Sequence, residues 1–320
     1  MASSYLAAER RVAIEAVQAA CSITTNVFQT LVFSESITKK DKSPVTIGDF
    51  SAQAAVNEVL SHHFPDDGIV GEEDSADLQG EQGADLRSKV SHLVNESLLQ
   101  HGQTKMPLSD TQLLNAIDLG SFPGGKSKPQ PKPKDGEIRS KQIAGLGALF
   151  VAVRGQGAVV RPIQGNDVTE KPIHMRDLQG DFTKSAFCES VEAGHSSLTT
   201  NARIAELLGI PKDHSVRMDS QAKYASIARG DGDIYLRLPV GDGSYQEKIW
   251  DHAAGSLLVE EAGGTVSDIA GRPLDFSQGR TLNKNRGVIA CQTNMHGRLT
   301  EAVAQALQEE GRAQLLAPVP

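Results

Sequence analysis

The chain has few cysteines and no long apolar run. Its three cysteines, Cys21, Cys188 and Cys291, are odd in number and widely spaced among 320 residues, which argues against a disulfide framework and against a cysteine metal site. No apolar segment approaches the ~20 residues that cross a bilayer. Residues 1–17 also lack the uninterrupted apolar block of a secretory signal. We therefore expect a protein of a reducing, cytoplasmic compartment that has no membrane partner.

Basic residues are in the minority, and the formal net charge at neutral pH is -8. Binding to a nucleic-acid polymer requires a basic face that displaces counterions from the phosphate backbone. The composition therefore disfavours a nucleic-acid partner. Small anionic substrates remain compatible with it if metal ions screen the acidic side chains.

The chain is long for a single hydrophobic core, so we expect two lobes. We predict a first lobe over residues 1–147, which includes a loop rich in proline and lysine at 121–141, and a second lobe over 148–320. Prolines that alternate with lysines favour an extended, solvated segment. In the second lobe, apolar strand patterns alternate with helical ones, which is typical of the α/β class.

Three acidic residues lie at the ends of predicted elements. Asp49 precedes the apolar stripe of a helix, Glu72 follows the short predicted strand Ile69–Val70, and Asp251 follows the only tryptophan at the start of another helix. Free backbone N–H groups and the helix dipole favour an acid at a helix start. Simple capping is therefore the alternative interpretation for Asp49 and Asp251.

These three carboxylates are of the type that holds Mg²⁺ when several of them converge. Such a cluster hydrolyses phosphate esters, because the metal bridges phosphoryl oxygens and activates a bound water. Arg237, Lys223 and His195 are candidates for contacts with the phosphate. The alternative is that each of these three basic side chains is an ordinary surface or turn residue.

Several segments taken together resemble one known family. They are Asp41-Lys42-Ser43-Pro44-Val45-Thr46 with Asp49, Val70-Gly71-Glu72-Glu73, residues 191–197, Asp219-Ser220-Gln221-Ala222-Lys223-Tyr224, residues 235–255, Pro273-Leu274-Asp275-Phe276 and Gly279-Arg280-Thr281-Leu282. They resemble the 3′(2′),5′-bisphosphate nucleotidase branch, in its fungal form, of the lithium-sensitive, inositol-monophosphatase-like phosphatases. The resemblance covers nearly the whole chain.

The resemblance implies a layered αβαβα sandwich and Mg²⁺-dependent removal of the 3′-phosphate from 3′-phosphoadenosine 5′-phosphate, which gives AMP. It also implies action on 3′-phosphoadenylyl sulfate and a place in sulfur assimilation, with an adenine nucleotide as the small-molecule partner. The residues that match the family's site fall into three roles. Glu72 and Asp251 would bind the metal, Asp49 would help to activate the attacking water, and His195, Ser196, Ser220, Lys223 and Arg237 would hold the nucleotide.

One motif of the family is absent. The signature Asp-Pro-Ile-Asp-Gly-Thr supplies two metal-binding aspartates and a threonine, but this chain runs through residues 126–141 instead and rejoins the family pattern near Leu149. The segment Ile117-Asp118-Leu119-Gly120 matches the part that precedes the lost motif, while Asp135 and Glu137 are alternative acids in the proline-lysine loop. We therefore expect a truncated first lobe with an incomplete metal site.

The missing segment also removes sheet strands, and a buried polar group left without a partner costs about 1 to 3 kcal/mol. The sequence thus predicts a weakened or inactive phosphatase with a destabilised first lobe. Two alternatives stay open. One is a non-catalytic homologue that binds adenine nucleotides, and the other is a phosphatase of inositol phosphates, which the nucleotide contacts at Ser220, Lys223 and Arg237 disfavour.

Overall fold

The computed structural model describes residues 6–33, 44–123, 138–141, 147–163, 168–190, 198–211, 214–218 and 221–319. The helices are α1 Ala7–Phe33, α2 Pro44–His63, α3 Ala84–Gln100, α4 Asp110–Asp118, α5 Leu198–Leu208, α6 Ala222–Arg229, α7 Ala253–Glu261 and α8 Thr293–Glu309. The strands are β1 Ile138–Lys141, β2 Ala148–Ala152, β3 Ala158–Pro162, β4 Lys171–Ile173, β5 Phe187–Glu189, β6 Ser215–Arg217, β7 Ile234–Arg237, β8 Gly264–Ser267 and β9 Val288–Gln292. Among the described helices, none combines the length and the apolarity that a bilayer span requires.

The chain separates into two compact units, one up to Gly124 and the other from Gly125 onward. The predicted lobe boundary after residue 147 stays a prediction. Most of the predicted proline-lysine loop lies outside the described residues, since the structure describes only 121–123 and 138–141 of it.

The first unit is helical in its described part. Its core is formed by apolar side chains of α1 to α4, such as Ile23, Ala54, Val94 and Leu113. The sequence Leu108-Ser109-Asp110 predicts a helix cap, and α4 begins there. The Ser109 hydroxyl accepts from the backbone N–H of Gln112, and the Ser109 backbone N–H donates to the Gln112 side-chain oxygen. The apolar spacing of residues 7–31 predicts a long first helix, which is present as α1.

Two predictions for the first unit were wrong. Helix α2 begins at Pro44 rather than after Asp49, because proline is favoured at the first helical position and its fixed φ suits the helix. Asp49 therefore lies inside the helix, with Phe50 on the buried face beside it. The expected strand Ile69–Val70 is reduced to a single bridge between Val70 and Ser121.

In its described part, the second unit consists of two sheets and two pairs of helices. The antiparallel sheet β1-β2-β3-β4 and the mixed sheet β6-β5-β7-β9-β8 enclose α6 and α7 in one apolar cluster. Helices α5 and α8 pack on the other face of the mixed sheet in a second cluster. The apolar runs 148–153 and 158–160 around the turn at 154–157 predict a hairpin, which is present as β2 and β3, with Phe150 opposite Val160.

Strand β7 lies at the centre of the mixed sheet, parallel to β5 and antiparallel to β9. Its side chains alternate between the two faces, since Ile234 and Leu236 belong to the cluster with α5 and α8. Tyr235 belongs to the cluster with α6 and α7, as the two-residue period of a strand requires. Arg237 ends the strand, next to the helix layer that carries Lys223.

Candidate active site

In the first unit, Gln53 of α2 fixes the backbone around the acids at 72–74. Its Nε2 donates to the carbonyl oxygens of Glu73 at 2.8 Å and Ile117 at 3.0 Å, while its Oε1 accepts from the N–H of Glu73 at 2.9 Å. A Cβ atom added at Gly71 would lie 2.6 Å from that Oε1. Glycine at this position therefore permits the close contact that holds Glu72 and Glu73 in place.

Asp118 anchors the same turn from α4. Its carboxylate accepts from the backbone N–H of Ser75 at 2.8 Å and from the hydroxyl of Ser75 at 2.7 Å. These two bonds use both carboxylate oxygens for a structural purpose. The prediction that Asp118 belongs to the part before the lost motif stays a prediction.

The acids of the first unit repel one another. Burial is the largest cause that raises the pKa of the Glu73 carboxyl, and the negative charges of Glu72, Asp49, Asp74 and Asp77 raise this pKa further. Burial also raises the pKa of Asp49, although the side chain keeps access to solvent. The structure therefore brings Asp49 and Glu72 into one electrostatic neighbourhood, in which a cation would relieve the repulsion.

A complete metal site is nevertheless absent from the residues that the structure describes. No group of three histidine, cysteine, aspartate or glutamate side chains there could hold an ion. Several carboxylates must converge to bind Mg²⁺ from the protein side. The described residues thus supply only part of a Mg²⁺ ligand set, and the predicted meeting of Asp251 with Asp49 and Glu72 stays a prediction.

In the second unit, Lys223 lies in the interior. Its side chain is buried, with Nζ 3.2 Å from the hydroxyl of Ser190 and 5.2 Å from the centre of the Tyr235 ring. The alternative interpretation of Lys223 as a surface charge of its helix was therefore wrong. The helix α6 is packed between two sheets, which the sequence pattern of one short helix does not reveal.

Asp251 occupies a single turn of 3-10 helix over residues 249–251. Helix α7 begins at Ala253. The prediction that Asp251 stands in the first turn of that helix was therefore wrong, because Asp251 lies just before the helix. The turn separates the two neighbours, since Asp251 is exposed and His252 is buried.

A buried hydrogen-bonded series links Arg237 to α6. Arg237 Nε donates to Glu247 Oε1 at 3.0 Å, Glu247 Oε2 lies 3.2 Å from His252 Nε2, and His252 Nδ1 lies 2.8 Å from the hydroxyl of Tyr224. Burial pushes the pKa of Glu247 upward, but the bond from His252 and the charge of Arg237 outweigh burial and hold this pKa below its ordinary value. Glu247 is therefore a carboxylate in the interior.

Tyr235 lies among the predicted site residues of this unit. Burial raises the pKa of its phenol, the charge of Arg237 lowers this pKa, and the charges of Glu247 and Asp251 raise it. Its ring also packs edge-on against that of Tyr224, with 4.8 Å between centroids. The charges of Arg237 and Asp251 thus both act on the Tyr235 phenol, and Lys223 lies beside the same ring.

Three predicted residues, His195, Ser196 and Ser220, lie outside the described residues, and their roles stay predictions. The sequence reasoning missed Gln53, Tyr224, Tyr235 and Glu247 as parts of the site. The only sequence signal for Glu247 was its place among residues 235–255, which resemble the family. A glutamate that precedes a histidine by five residues is not a characteristic motif.

Comparisons with known proteins agree with this architecture. The model of the inositol monophosphatase family matches residues 141–312. A 3′(2′),5′-bisphosphate nucleotidase from Schizosaccharomyces pombe is 41% identical over 357 positions, which cover 97% of this chain and 99% of that relative. A protein of the same name from Emericella nidulans is 40% identical over 352 positions, covering 94% of this chain and 98% of its own length.

The solved structure of an inositol monophosphatase from Anabaena has a TM-score of 0.52 to this chain at 17% identity, covering 94% of this chain and 97% of its own. An inositol monophosphatase from Zymomonas mobilis gives a TM-score of 0.51 at 16% identity, with 94% and 99% covered. The predicted fold class, the α/β sandwich of these phosphatases, is therefore confirmed.

The alignment with the Schizosaccharomyces pombe relative also bears on the missing segment. Its 357 positions exceed the 320 residues of this chain, so the relative has internal residues with no counterpart here. This supports an internal deletion, and its place between Gly125 and Leu149 stays a prediction.

Proposed function

Because this chain belongs to the inositol monophosphatase family of phosphatases, we propose that it removes the 3′-phosphate from 3′-phosphoadenosine 5′-phosphate at a reduced rate. Water adds to phosphorus, the bond to the 3′ oxygen breaks, and that oxygen takes up a proton, so that AMP and inorganic phosphate leave. 3′-Phosphoadenylyl sulfate would react in the same way. The observation that carries the proposal is the shared name of relatives that match nearly the whole of both chains at 41% and 40% identity.

The arrangement in the second unit supports an anionic nucleotide as substrate. Arg237 and Lys223 supply two cations near Tyr235, and a guanidinium can bind phosphate through two parallel N–H groups. We assign His195, Ser196 and Ser220 to the same nucleotide. Nucleotide binding in this proposal depends on Lys223, Arg237 and their neighbours, which all follow the predicted deletion in the sequence.

The catalytic part of the proposal depends on carboxylates. We assign Glu72 and Asp251 to Mg²⁺ and Asp49 to the orientation of the attacking water. The raised pKa values of Asp49 and Glu73 indicate a region that favours a cation. With the family's two signature aspartates absent from the sequence, the ion would be held by too few ligands, and this is the reason for the reduced rate. We further propose a cytoplasmic enzyme of sulfur assimilation.

A second candidate function is non-catalytic binding of adenine nucleotides. It is favoured by the lack, among the described residues, of any three side chains that could hold a metal. The nucleotide contacts of the second unit would then serve recognition or regulation without turnover.

Product analysis and calorimetry separate the two functions. We expect slow conversion of 3′-phosphoadenosine 5′-phosphate into AMP in the presence of Mg²⁺, seen by chromatography and abolished by a chelator, and no release of phosphate from inositol monophosphate. Calorimetry should show binding of AMP. Binding without any AMP formation would favour the non-catalytic function, and failure to bind AMP would contradict both.

A further inference from the structure

Three segments that carry predicted site residues are joined by one buried carboxylate. Glu247 is 8% exposed and contacts Arg237 at the end of β7 on one side and His252 at the start of α7 on the other. Through His252 the contact continues to Tyr224 on α6, the neighbour in sequence of Lys223. The segments that carry Arg237, Asp251 and Lys223 are thus connected by side-chain hydrogen bonds inside the second unit.

The carboxylate fixes the direction of the bonds on either side of Glu247. A carboxylate only accepts, so Arg237 Nε and His252 Nε2 both donate to Glu247. An amide in its place offers one oxygen, and its NH₂ group would face one of the two donors.

The bond to Glu247 also orients Arg237. A guanidinium is planar, and its N–H groups point in fixed directions. When Nε–H is held by Glu247, the plane of the remaining donors is set before any ligand arrives. Binding an anion to this fixed guanidinium costs less side-chain entropy than binding it to an arginine that is mobile before the anion arrives.

A buried carboxylate is costly unless its partners are well placed. A surface arginine would need no such partner to carry its charge. The presence of Glu247, buried between an arginine and a histidine, is therefore better explained by the geometry it imposes than by stability.

We propose that Glu247 is a positioning residue for phosphate recognition: it sets the plane of the Arg237 guanidinium and, through His252 and Tyr224, ties the turn of Asp251 to the helix of Lys223. This inference rests on the proposed function, because it takes Arg237 as a phosphate contact. Glu247 itself does not contact the nucleotide.

The test compares AMP with adenosine, which differ by the phosphate group alone. In Glu247→Gln the carboxylate charge that faces Arg237 is lost, and if the amide NH₂ turns toward Arg237 the hydrogen bond from Nε is lost as well, so the guanidinium is held less firmly in either orientation. A charge-assisted hydrogen bond corresponds to about a tenfold change in affinity, and we expect AMP to bind about tenfold more weakly while adenosine binds as before. Tyr224→Phe, which removes one hydroxyl, should weaken AMP binding by about threefold.

Asp233→Asn is the matched control. Asp233 is buried and paired with Arg176, and it precedes β7 at the opposite end from Arg237. Both Asp233→Asn and Glu247→Gln should lower the melting temperature. Only Glu247→Gln should lower the affinity for AMP without lowering the affinity for adenosine. If Glu247→Gln does not fold, the AMP affinity of Tyr224→Phe tests the same series of hydrogen bonds.

Arg237→Ala separates failure of the inference from failure of the proposed function. Loss of AMP affinity in Arg237→Ala with no loss, or a gain, in Glu247→Gln would overturn the positioning role and leave the function standing. An equal loss of AMP affinity in Glu247→Gln and Asp233→Asn would also overturn the positioning role, since a general loss of stability would then explain both results. An unchanged affinity in Arg237→Ala would show that Arg237 does not contact the phosphate, and the inference would fail. The proposed function would instead fail if the unmodified chain formed no AMP.

Discussion

A chain that regains the segment of its Schizosaccharomyces pombe relative opposite the internal gap will release phosphate from 3′-phosphoadenosine 5′-phosphate about 10² to 10⁴ times faster than the natural chain. The family signature Asp-Pro-Ile-Asp-Gly-Thr would add two aspartates and a threonine to the proposed set of Glu72 and Asp251, which would hold Mg²⁺, and Asp49, which would orient the water. A more completely held ion would supply a lower pKa for a bound water and stabilisation of the charge on the phosphoryl group. The measurement is phosphate release at saturating Mg²⁺.

The matched control carries the same segment with both signature aspartates changed to asparagine. It restores the length of the chain and its strands but not the ligands. We expect the control to gain stability, because buried polar groups regain partners, while its rate stays near that of the natural chain. An equal rate gain in the control, or none in the restored chain, would show that the lost ligands are not the cause of the slow reaction.

Gly255→Ala will destabilise the second unit by about 3 kcal/mol or more, the upper part of the range for overpacked cores. A Cβ atom at this position would lie 2.2 Å from Cδ2 and 2.3 Å from Cγ of Tyr224. Tyr224 is 1% exposed, it packs on Tyr235 and its hydroxyl is bonded to His252, so the ring has no room to retreat. Its displacement would break the series that leads to Glu247, and we expect AMP binding to be lost together with stability.

Gly297→Ala provides the control for this substitution. Gly297 also lies in a helix, α8, but a Cβ atom there would meet nothing within 4 Å. Alanine is favoured over glycine in a helix interior by about 0.5 to 1 kcal/mol, so Gly297→Ala should raise stability slightly. Denaturant unfolding of both variants checks the prediction. If Gly255→Ala is as stable as Gly297→Ala, the close packing of α7 on Tyr224 is not a constraint.

Local patterns predicted most of the elements of the described chain. The apolar spacing of α1, the cap at Ser109 and the hairpin of β2 and β3 all appeared as expected, because each depends on neighbours in sequence. The start of α2 at Pro44 was missed because the preference of proline for a first helical turn competed with a polar turn pattern around it. Asp251 was placed slightly too far into its helix because a short 3-10 turn precedes α7.

The site was less accessible to sequence reasoning. The burial of Lys223 depends on α6 lying between two sheets, and the pairing of Glu247 with Arg237 and His252 depends on where β7 ends. Gln53 acts on Glu73 across 20 positions of the chain. Such contacts follow from packing and leave no period or spacing in the sequence, whereas the family motifs indicated the chemistry without showing how it is supported.

The turnover number of the natural chain on 3′-phosphoadenosine 5′-phosphate, at saturating substrate and Mg²⁺, most directly tests the proposal that the metal site is incomplete. The absence of the two signature aspartates predicts a value below the ordinary range of enzymes, which is roughly 1 to 10³ per second, with AMP still bound. A value inside that range would contradict it, since the carboxylates that remain would then suffice for catalysis.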